Sequence, residues 1–351
     1  MDGYMQKRIG YFVNNFEPDR EALSKETQTL FNHFAKMESY DVFIHNISSR
    51  PHIKYSKSHV SYYDKFLPLG FFYTRYLQNR LHIIHIFGSL TGRIYLNILN
   101  KHPLIITNSS AIDKTRIADC KKKWGKIDKV VVECEQQKKE IEEYGIPSKN
   151  ISLIYPGVNL TKYNFKEPEG AFKILFASSP ISLDQEGIRK RGVNLILQAA
   201  KICPEIQFIL LWRGKHYKQL KTKLENIALN NVSVINKIVP NMNEYYDKVH
   251  CAIVPATDKN DCKPCPLSIV ECLSSGKPVI VSRLVGISEL VQRENCGLIF
   301  KPNLEDLLDK ISTIKINYYI FQKHARAIAE KYFSKENYVK RYEELYSSFW
   351  S

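Results

Sequence analysis

Among the 351 residues no apolar run approaches the roughly 20 needed for a membrane-spanning helix. The opening stretch, Met1 to Arg8, leads straight into a strand and lacks the apolar region and cleavage site of a signal peptide. The expected compartment is therefore the cytoplasm. No GxGxxG follows any strand, which disfavours a nicotinamide oxidoreductase. No nucleic-acid-binding motif accompanies the basic residues, and no long arm or tail carries one sign of charge. Eight cysteines are scattered mostly through apolar segments. Cys262 and Cys265 form one CxxC pair, with Cys251 and Cys272 nearby, but there is no second CxxC and no His at zinc spacing. These read as buried or loop thiols in a reducing compartment, with no metal site.

The chain does have the length and composition of a soluble two-domain protein, with 44% hydrophobic and 25% charged residues. Its formal charge of +15 favours anionic partners: nucleotides, phospholipid surfaces or nucleic acid. Apolar strand-like runs alternate with helical segments. Arg8–Val13, Asp41–Ile44, His82–Phe87, Leu104–Thr107, Lys129–Val132 and Asn150–Ile154 are expected strands of a first sheet. After a polar run from Lys166 to Gly170 the alternation restarts with Phe172–Ala177, Gln207–Trp212, Val232–Ile235 and Cys251–Val254. Strands alternating with helices imply parallel βαβ units and doubly wound, Rossmann-like domains. Between Arg50 and Arg80 Lys and Arg are interleaved with aromatics, among them Tyr55, Tyr62, Tyr63, Phe66, Phe71, Phe72, Tyr73 and Tyr76. Cationic heads with aromatic rings suit an anionic membrane interface, to which Lys121, Lys122 and Lys123 could add. A surface loop packing its rings on its own domain is the plainer alternative.

The most telling stretch runs from Pro264 to Gly297. A Pro-rich loop (Pro264, Cys265, Pro266, Leu267) feeds a short helix carrying Glu271, and Gly276 is placed to end it. Pro278 cannot continue the helix, and Val279-Ile280-Val281 is a buried-strand run followed by a second loop ending in Glu289. In open α/β sheets, ligands sit at the carboxyl ends of the strands beside helix N-termini. This stretch resembles the nucleotide-sugar site of retaining glycosyltransferases of family 4. Lys129–Glu135 followed by Ile154–Asn159, and Tyr332, Phe333 and Ser334 with Tyr338 and Tyr342, resemble the same family.

The resemblance implies a GT-B fold, two doubly wound parallel-sheet domains facing across a cleft. The expected acceptor domain spans 1–165 and the nucleotide-sugar domain 170–330, with a helix over 331–351 crossing back to the first. It further implies transfer of a hexose-type sugar from a nucleoside diphosphate sugar, with retention, to an acceptor hydroxyl on a lipid-linked or surface glycan. A peripheral contact with the inner face of an anionic membrane would follow. No cofactor or metal is implied, because fixed cations and a helix N-terminus can face the diphosphate. Arg189, Lys190 and Arg191 precede Gly192 and a helix, and Arg191 takes the place of the family's Lys before Gly. Its fork can bind phosphate oxygens bidentately. A solvated charged loop is the other reading.

Glu271 aligns with the second carboxylate of the family's E-x7-E pattern, suited to two ribose hydroxyls. A helix N-terminal Glu favouring the dipole is its alternative. The first carboxylate is replaced by Lys263, which suggests an anionic or otherwise unusual sugar, with Asp261 as a substitute if the loop is reshaped. Backbone groups of Pro264, Cys265, Pro266 and Leu267 would lie against the sugar. Val239, within Ile238-Val239-Pro240, is placed to grip the base, and Arg213 and Lys215 are further phosphate candidates. In the first domain Asn108, Ser109 and Ser110 stand where members often carry a His, so Ser109 or Asn108 is the candidate to hydrogen-bond the sugar or acceptor there. His85, inside a strand, reads as a core histidine. The departing phosphate of such enzymes is thought to take the acceptor's proton itself, and no carboxylate pair suited to double displacement is evident. A catalytically silent glycosyltransferase-like subunit, binding a nucleotide sugar or partner protein, is the rival, motivated by Lys263 and the missing His.

Overall fold

The computed structural model describes residues 6–48, 60–64, 68–178, 185–212, 217–227 and 229–350. These form two compact units. The first combines 1–133, 137–154 and 338–351; the second combines 134–136 and 155–337.

In the first unit continuous apolar runs become buried parallel strands: β1 (Lys7–Val13), β2 (Tyr40–Ser48), β3 (Val60–Asp64), β4 (Ile83–Gly88), β5 (Leu104–Asn108), β6 (Lys129–Val132) and β7 (Ile151–Leu153). Their order is β3-β2-β1-β4-β5-β6-β7, every pairing parallel. Tyr11 pairs with His85 and His85 with Ile105 in register. Alternate residues serve opposite faces. Ile9, Tyr11 and Val13 join a core with Leu30 and Phe34 of α1 (Ala22–Phe34). Phe12 faces the other core, with Leu96, Trp124 and Ile141 of α3 (Arg93–Ile98), α4 (Ile117–Trp124) and α5 (Glu135–Glu143). The aromatic stretch, which carries no regular sequence period, supplies β3 and α2 (Pro68–Leu77). Tyr55 and Phe66 of that stretch lie outside the described residues.

The second unit holds β8 (Lys173–Phe176), β9 (Gln207–Leu211), β10 (Val232–Ile235), β11 (Cys251–Val254), β12 (Val279–Ser282) and β13 (Gly297–Phe300), in the order β10-β9-β8-β11-β12-β13 and all parallel. Its helices are α6 (Gln185–Lys190), α7 (Val193–Ile202), α8 (Tyr217–Asn226), α9 (Asn243–Tyr246), α10 (Leu267–Ser274), α11 (Ser288–Arg293), α12 (Leu304–Ile316) and α13 (Tyr318–Tyr332). Arg326 on α13 donates to Tyr163 O (2.6 Å) and Ser274 O (2.7 Å), tying the segment before β8 to the end of α10. The last helix, α14 (Lys335–Ser347), carries Tyr338, Tyr342 and Tyr346 into the first unit's core. Among the described residues no helix is long and apolar enough to cross a membrane.

Candidate functional site

A doubly wound sheet has a switch point where strand order reverses, and the crevice outside the carboxyl ends there receives ligands. In the second unit that point lies between β8 and β11. The chain leaves β8 through Ala177 and Ser178, and leaves β11 through Pro255. Between α6 and α7 stands Gly192, at φ 74°. A Cβ there would sit 1.7 Å from the carbonyl oxygen of Pro255, so only glycine lets this junction press on the end of β11. The contact is reinforced by Thr257, whose N–H donates to Lys190 O (2.8 Å) and whose hydroxyl donates to Arg189 O (2.8 Å). Arg191 is thereby placed at the switch point, with Nη1 donating to Ser178 Oγ at 2.6 Å. Its Nε is buried and has no hydrogen-bond acceptor among the described residues. A buried guanidinium N–H without an acceptor is costly and calls for one beyond those the described residues supply.

The three cations that adjoin in sequence part company in space. Lys190 Nζ lies 3.1 Å from Glu186 and 3.8 Å from each of Asp258 and Asp261. Hydrogen bonding to Glu186, with the charges of Glu186, Asp261 and Asp258, raises its pKa and keeps it an ammonium. Lys190 therefore ties α6 to the loop after β11. Arg189 is exposed, 3.8 Å from Glu186. Asp261, a conceivable stand-in for the missing carboxylate, is engaged with Lys190. Arg213 and Lys215 lie outside the described residues.

The next crossover carries the Pro-rich loop. Pro266 is the N-cap of α10, Cys265 is fully buried and Leu267 buried, while Lys263 is half-buried. Pro264 O accepts from Ile287 N (2.9 Å), joining this loop to the one after β12, where Gly286 leaves no room for a Cβ beside Cys134 Sγ (2.5 Å). Gly276 ends the helix at φ 69°, its N–H bonded to Leu273 O. Glu271 is the fifth residue of α10, beyond its first turn, so the dipole does not account for it. Its carboxylate is buried and accepts from Tyr246 Oη at 3.1 Å. Tyr163 is a second donor to it; burial first, then the negative charge of Glu271, raises the Tyr163 pKa. Sequence reasoning missed both tyrosines: they stand 108 and 25 residues from Glu271, and no spacing links them to it. Val239 is half-buried in the loop after β10, at the same edge of the sheet.

All eight cysteines are free, and burial pushes the Cys262 thiol up to about 11. Among the described residues no cluster of His, Cys, Asp or Glu could hold a metal ion.

In the first unit Ser109 follows β5, is buried, and its N–H donates to Gly88 O (3.0 Å). Asn108 is occupied in shaping that turn: its Oδ1 accepts from Leu90 N (2.8 Å) and its Nδ2 donates to Ser110 O (2.9 Å). His85 is wholly buried between Tyr346 Oη (2.6 Å) and Thr107 Oγ1 (2.8 Å). Burial lowers its pKa to about 3. It is a satisfied core histidine.

The fold has known counterparts. The family model described as "Glycosyl transferases group 1" matches residues 186–332, which span Arg191, Lys263 and Glu271. The amylovoran biosynthesis glycosyltransferase AmsK of Erwinia amylovora is 22% identical over 161 residues, 44% of this chain and 39% of that protein. The chain thus matches well under half the length of that relative. Among solved structures, sucrose-phosphate synthase of Thermosynechococcus elongatus superposes with a TM-score of 0.80 at 15% identity, over 98% of this chain and 99% of that one. Anabaena Alr3699/HepE in complex with UDP and glucose superposes with 0.79 at 15% identity, over 98% and 100%. The chain has the GT-B fold. The group 1 match and the GT-B neighbours together support a GT-B glycosyltransferase. Within the GT-B fold, the β8–β11 switch point with Arg191, the α10 loop and Glu271 is the candidate donor site.

Proposed function

We propose that this protein is a retaining glycosyltransferase of family 4. It moves a hexose-type sugar from a nucleoside diphosphate sugar to an acceptor hydroxyl on a lipid-linked or surface glycan. The observation that carries the reading is Arg191: a guanidinium pinned at the switch point by Gly192 and Ser178, with a buried Nε–H that has no acceptor among the described residues. A diphosphate oxygen is the acceptor that chemistry calls for. Glu271, held by Tyr246 and Tyr163, accepts from the ribose hydroxyls, and Val239 forms part of the shelf for the base. Backbone groups at Cys265, Pro266 and Leu267 face the sugar, and the start of α10 lends its N–H groups to the phosphates. Lys190 holds the loop and Arg189 adds long-range positive potential.

The bond between the anomeric carbon and the diphosphate oxygen breaks as the acceptor oxygen bonds to the same face of that carbon. The acceptor's proton passes to the departing diphosphate, while Ser109 hydrogen-bonds sugar or acceptor. Arg191 is aimed at charge that grows in this step, so it lowers the barrier beyond merely holding the donor. The cations and helix terminus carry this charge without a divalent ion. Lys263, where a carboxylate contacts neutral sugar hydroxyls in the resembled family, favours an anionic sugar such as a uronic acid. The name of AmsK, a biosynthetic glycosyltransferase, and the UDP and glucose bound to Alr3699/HepE are in keeping with this reading.

The test is a panel of nucleoside diphosphate sugars, uronic acids included, with diphosphate release and thermal stabilisation measured together. Release from one donor supports the proposal. Stabilisation without release, with lipid and glycan acceptors supplied, would replace it with the silent binding subunit.

A further inference from the structure

Lysine is almost never fully buried unless its charge is paired, yet Lys277, between the end of α10 and the start of β12, is 0% exposed. Its ammonium donates to Lys166 O and lies 4.6 Å from the centroid of the Phe165 ring. The main chain here is tightly held: Lys277 N donates to Cys272 O (3.1 Å), and Cys272 Sγ lies 3.5 Å from the carbonyl oxygens of Lys277 and Pro278. Phe165 rests on the same turn, since a Cβ on Gly276 would meet its ring at 3.1 Å. An apolar side chain would fill the position of Lys277 without the cost of burying a charge. A long-stemmed cation adds one thing, a grip on a carbonyl of the segment that precedes β8.

That segment, 160–170, makes one short turn, Leu160–Lys162, and is otherwise without regular structure. Several of its polar groups take their partners from neighbouring elements. Asn243 of α9 donates to Lys162 O, Arg326 of α13 to Tyr163 O (2.6 Å), and Lys277 to Lys166 O. Tyr319 Oη donates to the Glu167 carboxylate (3.1 Å). The Arg326 nitrogen that holds Tyr163 also donates to Ser274 O of α10 (2.7 Å). The segment is thus a strap drawn over the end of α10. It carries Tyr163, the second donor to Glu271, whose ring stands edge-on to Tyr246 at 6.4 Å. Asn243 and Arg326 fasten the strap at and before Tyr163; Lys277 fastens it three residues beyond.

We infer that Lys277 is a positioning residue for donor binding: by holding Lys166 O it fixes the strap that delivers the Tyr163 hydroxyl to Glu271, and so sets the affinity for the nucleotide. Lys277 itself stands at the amino end of β12, away from the crevice at the carboxyl ends. The inference rests on the reading of Glu271 as the acceptor for the ribose hydroxyls. Burial pushes the Lys277 pKa down to about 8, with the charges of Glu167 and Asp247 opposing the shift. Cys272 of α10 and His250, just before β11, face it as well. Burial raises the Cys272 thiol to about 12 and lowers His250 to about 4, so both are neutral near pH 8. Tyr163, Tyr246 and Tyr318 are pushed up by burial and keep their protons there. The grip is therefore full below about pH 8 and weakens as Lys277 loses its charge above it.

The test is calorimetric affinity for UDP, GDP and ADP, the tightest of them kept as the probe, from about pH 7 to about pH 9. The parent's affinity should fall about three- to tenfold as pH rises through about 8, the net worth of one hydrogen bond. Lys277→Met should show that loss already at neutral pH and no further change with pH. Thermal melting of the unliganded variant checks folding, and should be at or above the parent's because an apolar chain replaces a buried charge. In a Tyr163→Phe background, itself weakened, adding Lys277→Met should cost nothing more, because the strap has no hydroxyl left to deliver. Tyr163→Phe alone should also level the pH profile, which decides the matter if Lys277→Met does not fold. Binding weakened by Glu271→Gln but indifferent to Lys277→Met, a level profile in the parent, or additive losses in the double variant would overturn the inference and leave the donor site standing. No binding of any of the three nucleotides, or binding indifferent to Glu271→Gln, would instead remove the donor-site reading and the inference with it.

Discussion

Replacing Gly192 by Ala adds one methyl group at the point where the α6–α7 junction meets the end of β11. The position is at φ 74°, which costs an L-residue about 1–2 kcal/mol. The new Cβ would lie 1.7 Å from Pro255 O and 2.5 Å from its carbonyl carbon, both backbone atoms that cannot rotate away. Forced overpacking costs about 1–3 kcal/mol more, so the expected total is about 2–5 kcal/mol. Relief is available only by backing the junction off β11, which breaks the bonds from Thr257 and Asp258 to Lys190 O and carries Arg191 away from Ser178. Urea unfolding should therefore show a lower midpoint, and thermal stabilisation by nucleoside diphosphates should weaken, because the guanidinium no longer stands at the switch point. A Gly192→Ala protein with wild-type midpoint and undiminished stabilisation would refute this account of the junction.

Other outcomes follow from the same geometry. Tyr246→Phe removes a hydroxyl whose single O–H lies within 3.1 Å of two acceptors, Glu271 and Ser268 O; it should lower stability by about 1–3 kcal/mol in urea titrations and weaken donor binding. Lys263→Glu should reverse the preference between anionic and neutral donor sugars in a competition assay; an unchanged preference would remove Lys263 from the sugar subsite. His85 and His45 are buried with pKa values lowered to about 3 and about 4. Because both bind protons more readily unfolded, the stability from keeping them neutral is intact above about pH 6.5. It is lost as pH falls toward the folded values, by up to about 1.4 kcal/mol per unit for each histidine. Urea midpoints at pH 7, 6 and 5 measure that slope, and His85→Gln should flatten it if the variant folds.

Much of the fold is legible because buried parallel strands are written as short continuous apolar runs. Leu104–Thr107 and Val279–Val281 fall on β5 and β12, and Gly276 and Pro278 mark the helix end between α10 and β12. Helix α6 was hidden, since its Gln-Glu-Gly-Ile-Arg-Lys run has a single apolar residue and reads as a charged loop. At the site, the order Arg189-Lys190-Arg191-Gly192 points to a phosphate-facing corner. Lys190 is drawn aside by Glu186 in its own helix and by Asp258 and Asp261, about seventy residues away, while Arg191 stands on Ser178. The grip of Tyr163 and Tyr246 on Glu271 is likewise a product of chain folding, invisible to any local pattern.

The central claim rests on Arg191 and is tested most directly by donor affinity in Arg191→Ala, measured by calorimetry with the nucleoside diphosphate released in the donor panel. Charge-assisted hydrogen bonds lost at about 1.5–3 kcal/mol correspond to a fall in affinity of roughly 10- to 150-fold. The predicted result is a loss of that size, with thermal stability of the unliganded protein little changed. An Arg191→Ala protein that binds the diphosphate as tightly as the parent contradicts the placement of the donor at the β8–β11 switch point.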